Sequence, residues 1–325
     1  STTDLIQSIV MSVALIIIVF YGIHIAGGWN AVMDNARSLA GYLSMTQIHD
    51  PASNTAAPYS MISIFSMMAW GLGYFGMPHI LLRFMAIEDE NKLAFSRRIA
   101  SVWVVISMFV AILIGIIGYG VSAAGKLETF TTSADSETIV VRLSGLLGSH
   151  GFLLSIIAGV VLAGILASTM STADSQLLTA ASSVSQNLLQ DFLKIKMNAK
   201  TSMTAARITV LAIALVGIIL ARDPNSSVFT IVSFAWAGFG AAFGPIMLFS
   251  LFWKRTNFYG ALAGMVSGGV MVFVWKYGVR PLGGAWNIYE LLPAFLAASA
   301  AILIVSLATA PPSEDICRQF DSVGR

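Results

Sequence analysis

Long apolar blocks alternate with polar, charged or glycine- and proline-bearing breaks along the whole chain. Eight blocks are long enough to cross a bilayer: about 5–24, 60–82, 99–122, 151–185, 204–221, 227–252, 258–278 and 288–309. In hydrocarbon a backbone must satisfy its own hydrogen bonds, so each block is expected to be a helix. Membrane barrels alternate polar and apolar residues, and these blocks do not. The pattern predicts an all-α polytopic membrane protein, with eight transmembrane helices in a transmembrane region over 1–309 and a polar tail over 310–325. The fourth block is unusual. If 151–191 is one helix, its 41 residues reach about 61 Å at about 1.5 Å per residue. The hydrocarbon core is only about 30 Å thick. Such a helix must tilt, break or project into its polar end, Gln186 to Lys200.

Composition agrees with the pattern. The 325 residues are 57% hydrophobic and 10% charged, with a mean hydropathy of +0.81, against roughly one quarter charged in soluble domains. That excludes a soluble enzyme, a nucleic-acid binder and a disordered regulator. The net charge of +2 names no partner beyond the bilayer, and four His with the single Cys317 show no zinc spacing. Ser1 to Gln7 carries no basic segment, so the first block does not read as a signal peptide, and the chain reads as part of a longer protein.

The loop charges set an orientation. Twelve Lys and Arg fall in one set of breaks: Arg83, Lys92, Arg97, Arg98, Lys194, Lys196, Lys200, Arg207, Lys254, Arg255, Arg318 and Arg325. Six fall in the other: Arg37, Lys126, Arg142, Arg222, Lys276 and Arg280. The sets alternate as eight spans require. The positive-inside rule then places both ends in the cytoplasm, with 25–59 and 123–150 outside.

Two spans carry candidate chemistry. The second contains Trp70-Gly-Leu-Gly-Tyr74-Phe-Gly-Met-Pro78-His79. Gly71-Leu-Gly73-Tyr-Phe-Gly76 matches G-x-G-x-x-G formally, but no strand precedes it and it lies in an apolar span, so a dinucleotide site is rejected. Three Gly and a Pro weaken the helix inside the membrane, as in the discontinuous helices of secondary transporters. Trp70 and Tyr74, four apart, are expected on one side; the alternative is a packing kink with two core aromatics. In the fourth span, Ser168, Ser171, Thr172 and Ser175 are spaced i, i+3, i+4, i+7, one helical face. Asp174 flanks that face, and Thr179 and Ser182 continue it. Hydroxyl and carbonyl oxygens suit a small hard cation, and a mid-span acid is a functional candidate by default. The alternative is hydroxyls bonding back to their own helix or across helices. Asp4 alone reads as a helix N-cap, and His79 and Glu290 as interfacial residues. Ser233–Pro245 and the Gly260/Gly264/Gly268 face read first as helix packing.

Together these segments resemble the solute:sodium symporter family, most closely its sodium/proline symporter branch. The resemblance rests on Trp70-Gly-Leu-Gly-Tyr-Phe-Gly-Met-Pro-His-Ile80, Arg83-Phe-Met85, Met170-Ser-Thr172, Gln176-Leu-Leu178 and Ala235–Pro245. It extends through Gly260–Met265, Trp275-Lys276 and Tyr289-Glu290, to about residue 308. It implies the last eight of thirteen spans of a LeuT-type inverted-repeat transporter fold. Five earlier spans would precede these, among them the unwound first core helix that supplies half of both sites. It further implies sodium ligation by the Ser168 carbonyl and the Ser171 and Thr172 hydroxyls. Trp70, Tyr74 and Pro78 would lie on the substrate side. Asp4 matches an acid tied to sodium coupling, and with Asp174 and Ser175 it marks a possible second cation site. Met77 stands where many proline symporters carry Gln, and Asp174 where many carry Ser.

The expected activity is therefore sodium-coupled symport of a small amino acid, L-proline first, across the cell (plasma) membrane by alternating access. Na⁺ is the coupling ion. No organic cofactor, enzymatic activity or nucleic-acid partner is expected. The alternatives are sodium- or proton-coupled transport of another small amino acid or a carboxylate, and a transporter-like sensor domain.

Overall fold

The computed structural model describes residues 2–50, 52–222 and 227–323. The chain forms two compact units, Ser1–Ala57 with Glu88–Val228, and Pro58–Ile87 with Phe229–Arg325.

The first unit holds α1 (Thr2–Ile25), α2 (Trp29–Ser38), a small two-stranded sheet, β1 (Gln47–Asp50) with β2 (Thr55–Pro58), and the long α5 (Leu93–Ala123). It continues with α6 (Ser133–Glu137), α7 (Ile139–Gly148), α8 (Phe152–Ser182) and α9 (Ala199–Leu220). Its core joins Ala14 and Ile18 of α1 to Ile114, Ile117 and Val121 of α5, Leu143 of α7 and Val161 of α8. Close approach is bought by missing side chains: a Cβ on Gly22 would lie 2.4 Å from the Ile117 Cγ2, and one on Gly164 3.2 Å from the Ala14 Cβ. The outward faces stay apolar. On α5, Val102, Val105, Ile106 and Phe109 are exposed, and on α9 Ile208, Leu211, Leu215 and Ile218 are exposed. Apolar surface that extensive is stable only against lipid.

The fourth block does not break. Its helix runs for 41 residues, Phe152–Phe192, with its last stretch, Ser183–Phe192, widened into a π-helix. Lys194, in the left-handed region at φ 55°, follows it. Gln190 Nε2 then donates to Ser202 Oγ at 3.0 Å, tying the π segment to α9.

The second unit holds α3 (Met61–Ala69), α4 (Pro78–Met85), α10 (Val228–Phe252), α11 (Phe258–Val274), α12 (Leu291–Ala308) and α13 (Glu314–Val323). The glycine face of α11 packs on α12: a Cβ on Gly264 would meet Ile302 Cγ1 at 2.4 Å. Gly268 approaches the Ala241 carbonyl, where an added Cβ would lie 2.3 Å from the oxygen. That carbonyl lies four residues before Pro245, which lacks the N–H that would normally bond to it. The tail is polar but not extended. Lys254 pairs with Asp321 of α13 at 2.5 Å, and Arg255 Nη2 donates to the Thr309 carbonyl at 2.8 Å.

Among the described residues, seven helices are long and apolar enough to span a membrane, and the shorter Met61–Gly76 segment is the broken second span. The chain is an all-α polytopic membrane protein.

The 123–150 loop is organised by charge. Arg142 Nη2 lies 3.1 Å from Asp135 Oδ1 and Arg142 Nη1 3.9 Å from Glu128, and the guanidinium sits 5.1 Å over the Phe130 ring. The Thr131 hydroxyl, donating to Asp135 at 2.8 Å, and Thr132 hold the Asp135 carboxyl below its ordinary value, and Arg142 adds to this. A carboxylate with a depressed folded pKa stabilises above its unfolded pKa and loses that contribution as pH falls through the folded one. Protection against hydrogen exchange in 128–142, taken relative to the intrinsic rate at each pH, should therefore persist from neutral pH down through the usual carboxylate range and be lost only in stronger acid. In Asp135→Asn the protection should already be low at neutral pH. Equal exchange in both proteins at neutral pH would contradict the assignment.

Candidate substrate and cation sites

The second span leaves the α pattern where its glycines cluster. Ser60 caps α3 by accepting from Ser63 N at 3.1 Å. After Ala69 the backbone tightens into a 3₁₀ segment, Trp70–Gly76. Met77 is extended (φ −85°, ψ 110°), as a residue before proline prefers, and Pro78 occupies the first turn of α4, where a missing N–H costs nothing.

Gly73 and Gly76 let this segment press against α10. A Cβ on Gly76 would lie 2.3 Å from the Phe239 carbonyl oxygen, and one on Gly73 1.9 Å from Trp236 Nε1. Trp236 Nε1 donates to the Trp70 carbonyl at 2.9 Å. Trp70 itself is stacked on three rings: Phe229 at 5.4 Å, Trp236 at 5.5 Å and Tyr289 at 6.0 Å, with interplanar angles of 8°, 13° and 18°. Tyr74 meets Trp236 edge-on at 4.8 Å and 84°. In a 3₁₀ turn, residues four apart are rotated by about 120°, so Trp70 and Tyr74 do not share a side as they would on an α-helix. Trp236 brings them together instead. Half the Tyr74 surface stays exposed, which leaves an open aromatic edge beside the slab. Pro78 is half-buried at the next turn. A separate cleft of about 370 Å³, lined by Phe234, Phe239, Phe243 and Phe273 with Ala235, Gly238 and Val272, is wholly apolar and unsuited to a zwitterion.

On α8 the buried stripe Ala158, Val161, Gly164 runs on as Ser168, Ser171 and Ser175, all half-buried, while Thr172 and Asp174 are exposed. At about 100° per residue, Thr172 and Asp174 lie about 80° to opposite sides of that stripe. The hydroxyls bond back along the helix. Thr172 donates to the Ser168 carbonyl at 3.4 Å, Ser175 to Ser171 at 3.1 Å, Thr179 to Ser175 at 2.8 Å and Ser183 to Thr179 at 2.9 Å. A donating hydroxyl spends its proton and keeps its lone pairs for a cation. The helix-packing alternative and a cation stripe are thus compatible here. Asp174 makes no hydrogen bond or ion pair among the described residues. Asp4 falls inside the first turn of α1 rather than before it; its side chain lies outside the described residues. On the same helix, the Gln7 Oε1 is buried with no hydrogen-bond partner among the described residues.

The sequence pattern of the Sodium:solute symporter family matches residues 1–268. The chain belongs to that family. This sodium:solute symporter chain is 38% identical over 325 residues to the sodium/proline symporter of Haemophilus influenzae, covering 99% of the chain and 62% of that protein. It is 37% identical over 322 residues to the high-affinity proline transporter PutP of Bacillus subtilis, with 99% and 63% covered. It is also 37% identical over 320 residues to the osmoregulated proline transporter OpuE of the same organism, with 98% and 61% covered. The chain thus spans about three fifths of the length of the curated relatives it matches.

Three members of the aromatic slab around Trp70 are not singled out by sequence as site residues. Trp236 sits in a stretch that reads as packing, Tyr289 at a span end, and Phe229 carries no local signal. The glycines give a differential test. Gly73→Ala should lower thermal stability in detergent by about 1–3 kcal/mol, the usual cost of overpacking. Gly71→Ala, whose Cβ would meet nothing within 4 Å, should be close to neutral. Equal effects would show that Gly73 is not in contact with Trp236.

Proposed function

We propose that this chain is part of a sodium-coupled symporter that carries a small amino acid, L-proline first, across the plasma membrane by alternating access. In this reading both ends of the chain are cytoplasmic, as the loop charges require, and the spans belong to a LeuT-type inverted-repeat fold. The observation that carries it is the α8 hydroxyl stripe, in which Ser171 lies on the half-buried face and Thr172, on the exposed flank beside it, donates to the Ser168 carbonyl, so that the oxygens of all three lie within about one turn. Hard oxygen donors of this kind bind a small hard cation and offer nothing to soft metals. The choice of proline is supported by the relatives that match nearly the whole chain, which are proline symporters and transporters.

The mechanism is linkage. Sodium at Ser168, Ser171 and Thr172 favours a state that also binds substrate at Trp70, Tyr74 and Pro78, so each ligand raises the other's affinity. The 3₁₀ segment supplies the flexible joint between α3 and α4. Thr179 and Ser182 continue the polar face toward the cytoplasm and line the release path. One sodium falling through about 100 mV releases about 2.3 kcal/mol, which supports about fifty-fold accumulation before the sodium gradient is added. Asp174 lies on the flank opposite Thr172, so it does not share Thr172's ion. With Ser175 and Asp4 it forms the second cation or proton locus.

In the intact transporter, Thr172→Ala should raise the sodium concentration for half-maximal proline uptake about tenfold or more, with membrane insertion unchanged. Unchanged sodium dependence would overturn the cation assignment, and uptake that persists without sodium but follows pH would transfer coupling to Asp174.

A further inference from the structure

Glu290 has 1% of its surface exposed, yet it carries a carboxylate. Its Oε2 accepts from Arg280 Nη1 at 2.7 Å, and its Oε1 lies 3.9 Å from Lys276 Nζ. Arg280 Nε also donates to Asn287 Oδ1 at 3.1 Å, and Lys276 Nζ rests 3.8 Å over the Phe234 ring. Trp275 Nε1 donates to the Ile288 carbonyl at 3.2 Å. The Trp275-Lys276 and Tyr289-Glu290 pairs, on either side of residues 277–288, are thus brought together within the second unit.

A buried ion pair is a costly way to gain stability, since well-packed apolar residues serve as well or better. What it does supply here is position. The residue before Glu290 is Tyr289, fixed from three directions: its N–H donates to Ser66 Oγ at 3.0 Å, its hydroxyl donates to the Ser233 carbonyl, and its ring lies on Trp70. The segment 275–290 is built of a short π-helix and two 3₁₀ turns with glycines at positive φ, Gly283 and Gly284. Such a segment has little regular backbone bonding of its own to hold Tyr289 in register.

We infer that the Glu290–Arg280 ion pair, with Lys276, is a positioning device for the substrate-side aromatic slab. It pins the start of α12, which holds the Tyr289 ring against Trp70 and so sets the plane Trp70 presents. The inference rests on Trp70 being substrate-side, as proposed above. Glu290 and Arg280 act through Tyr289 and do not touch the substrate.

The test uses the intact transporter in liposomes, with Glu290→Gln, the half-exposed Arg280→Gln and the double variant. Labelled-proline uptake and hydrogen exchange are measured together. Either single variant should raise the proline concentration for half-maximal uptake about tenfold (about 1.4 kcal/mol) and leave the sodium requirement unchanged. The double variant should be no worse than the singles, as for two members of one pair. Exchange should rise in 66–76 and 280–290 and stay unchanged in 292–306, and Glu290→Asp should restore most of the affinity. Unchanged exchange in 66–76, or an even loosening of the whole unit, would overturn the inference. Local loosening of 66–76 with an unchanged proline requirement would uphold the positioning role and overturn the substrate-side reading of Trp70.

Discussion

A helix in a membrane can abandon its regular backbone pattern only where something else seals the break, and here the indole of Trp236 is placed to do so. The second span changes from α to 3₁₀ at Trp70, and the Trp70 carbonyl accepts the Trp236 N–H at 2.9 Å. Without that donor inside the unit, a loosened turn would expose polar backbone to lipid at a cost of several kcal/mol. The same contact explains the glycines. Gly73 and Gly76 leave room for α10 to come close enough for the indole to reach, and the reach of the indole in turn fixes the plane on which Trp70, Phe229 and Tyr289 stack. Conformational freedom and close packing, which usually oppose each other, are met by the same residues.

The long α8 solves a different problem. It must cross lipid as a continuous helix and, in the proposed function, still present oxygen ligands. Serine and threonine do both because each hydroxyl satisfies its proton on the carbonyl one turn back and keeps its lone pairs outward. A ladder from Ser171 through Ser175 and Thr179 to Ser183 follows from that rule. Carboxylates in the same stripe would be far more expensive in hydrocarbon. Asp174 lies off the stripe, on the exposed flank.

Much of this was legible in the sequence, and the exceptions have physical causes. The apolar blocks and the break at Gly71–Pro78 are visible because the bilayer imposes length and continuity on every span. The α8 stripe is visible because helical spacing needs no tertiary knowledge. What local pattern cannot show is which helix covers a break. Ala235–Pro245 reads as generic small-residue packing, and nothing in it says that Trp236 would cap Trp70. Likewise Glu290 reads as an interfacial residue at a span end, whereas pairing with Arg280 and Lys276 buries it. The expected sharing of a side by Trp70 and Tyr74 assumed α geometry in a segment that is 3₁₀. The continuous path of the fourth block is not legible because tilt, break and projection all satisfy the same length, and the π widening at Ser183 has no signature in the residue types.

The proposed function requires that a hydroxyl stripe and an aromatic break, on different helices, act as one coupled pair of sites. Equilibrium binding to the purified intact transporter tests this without any assumption about transport rate. Labelled-proline affinity is measured across a sodium titration, and sodium affinity across a proline titration. The account predicts that each ligand tightens the other by the same factor, as linkage requires, and that Thr172→Ala removes most of that factor while proline binding in sodium-free buffer is unchanged. Proline binding that is indifferent to sodium in the unaltered protein would contradict it.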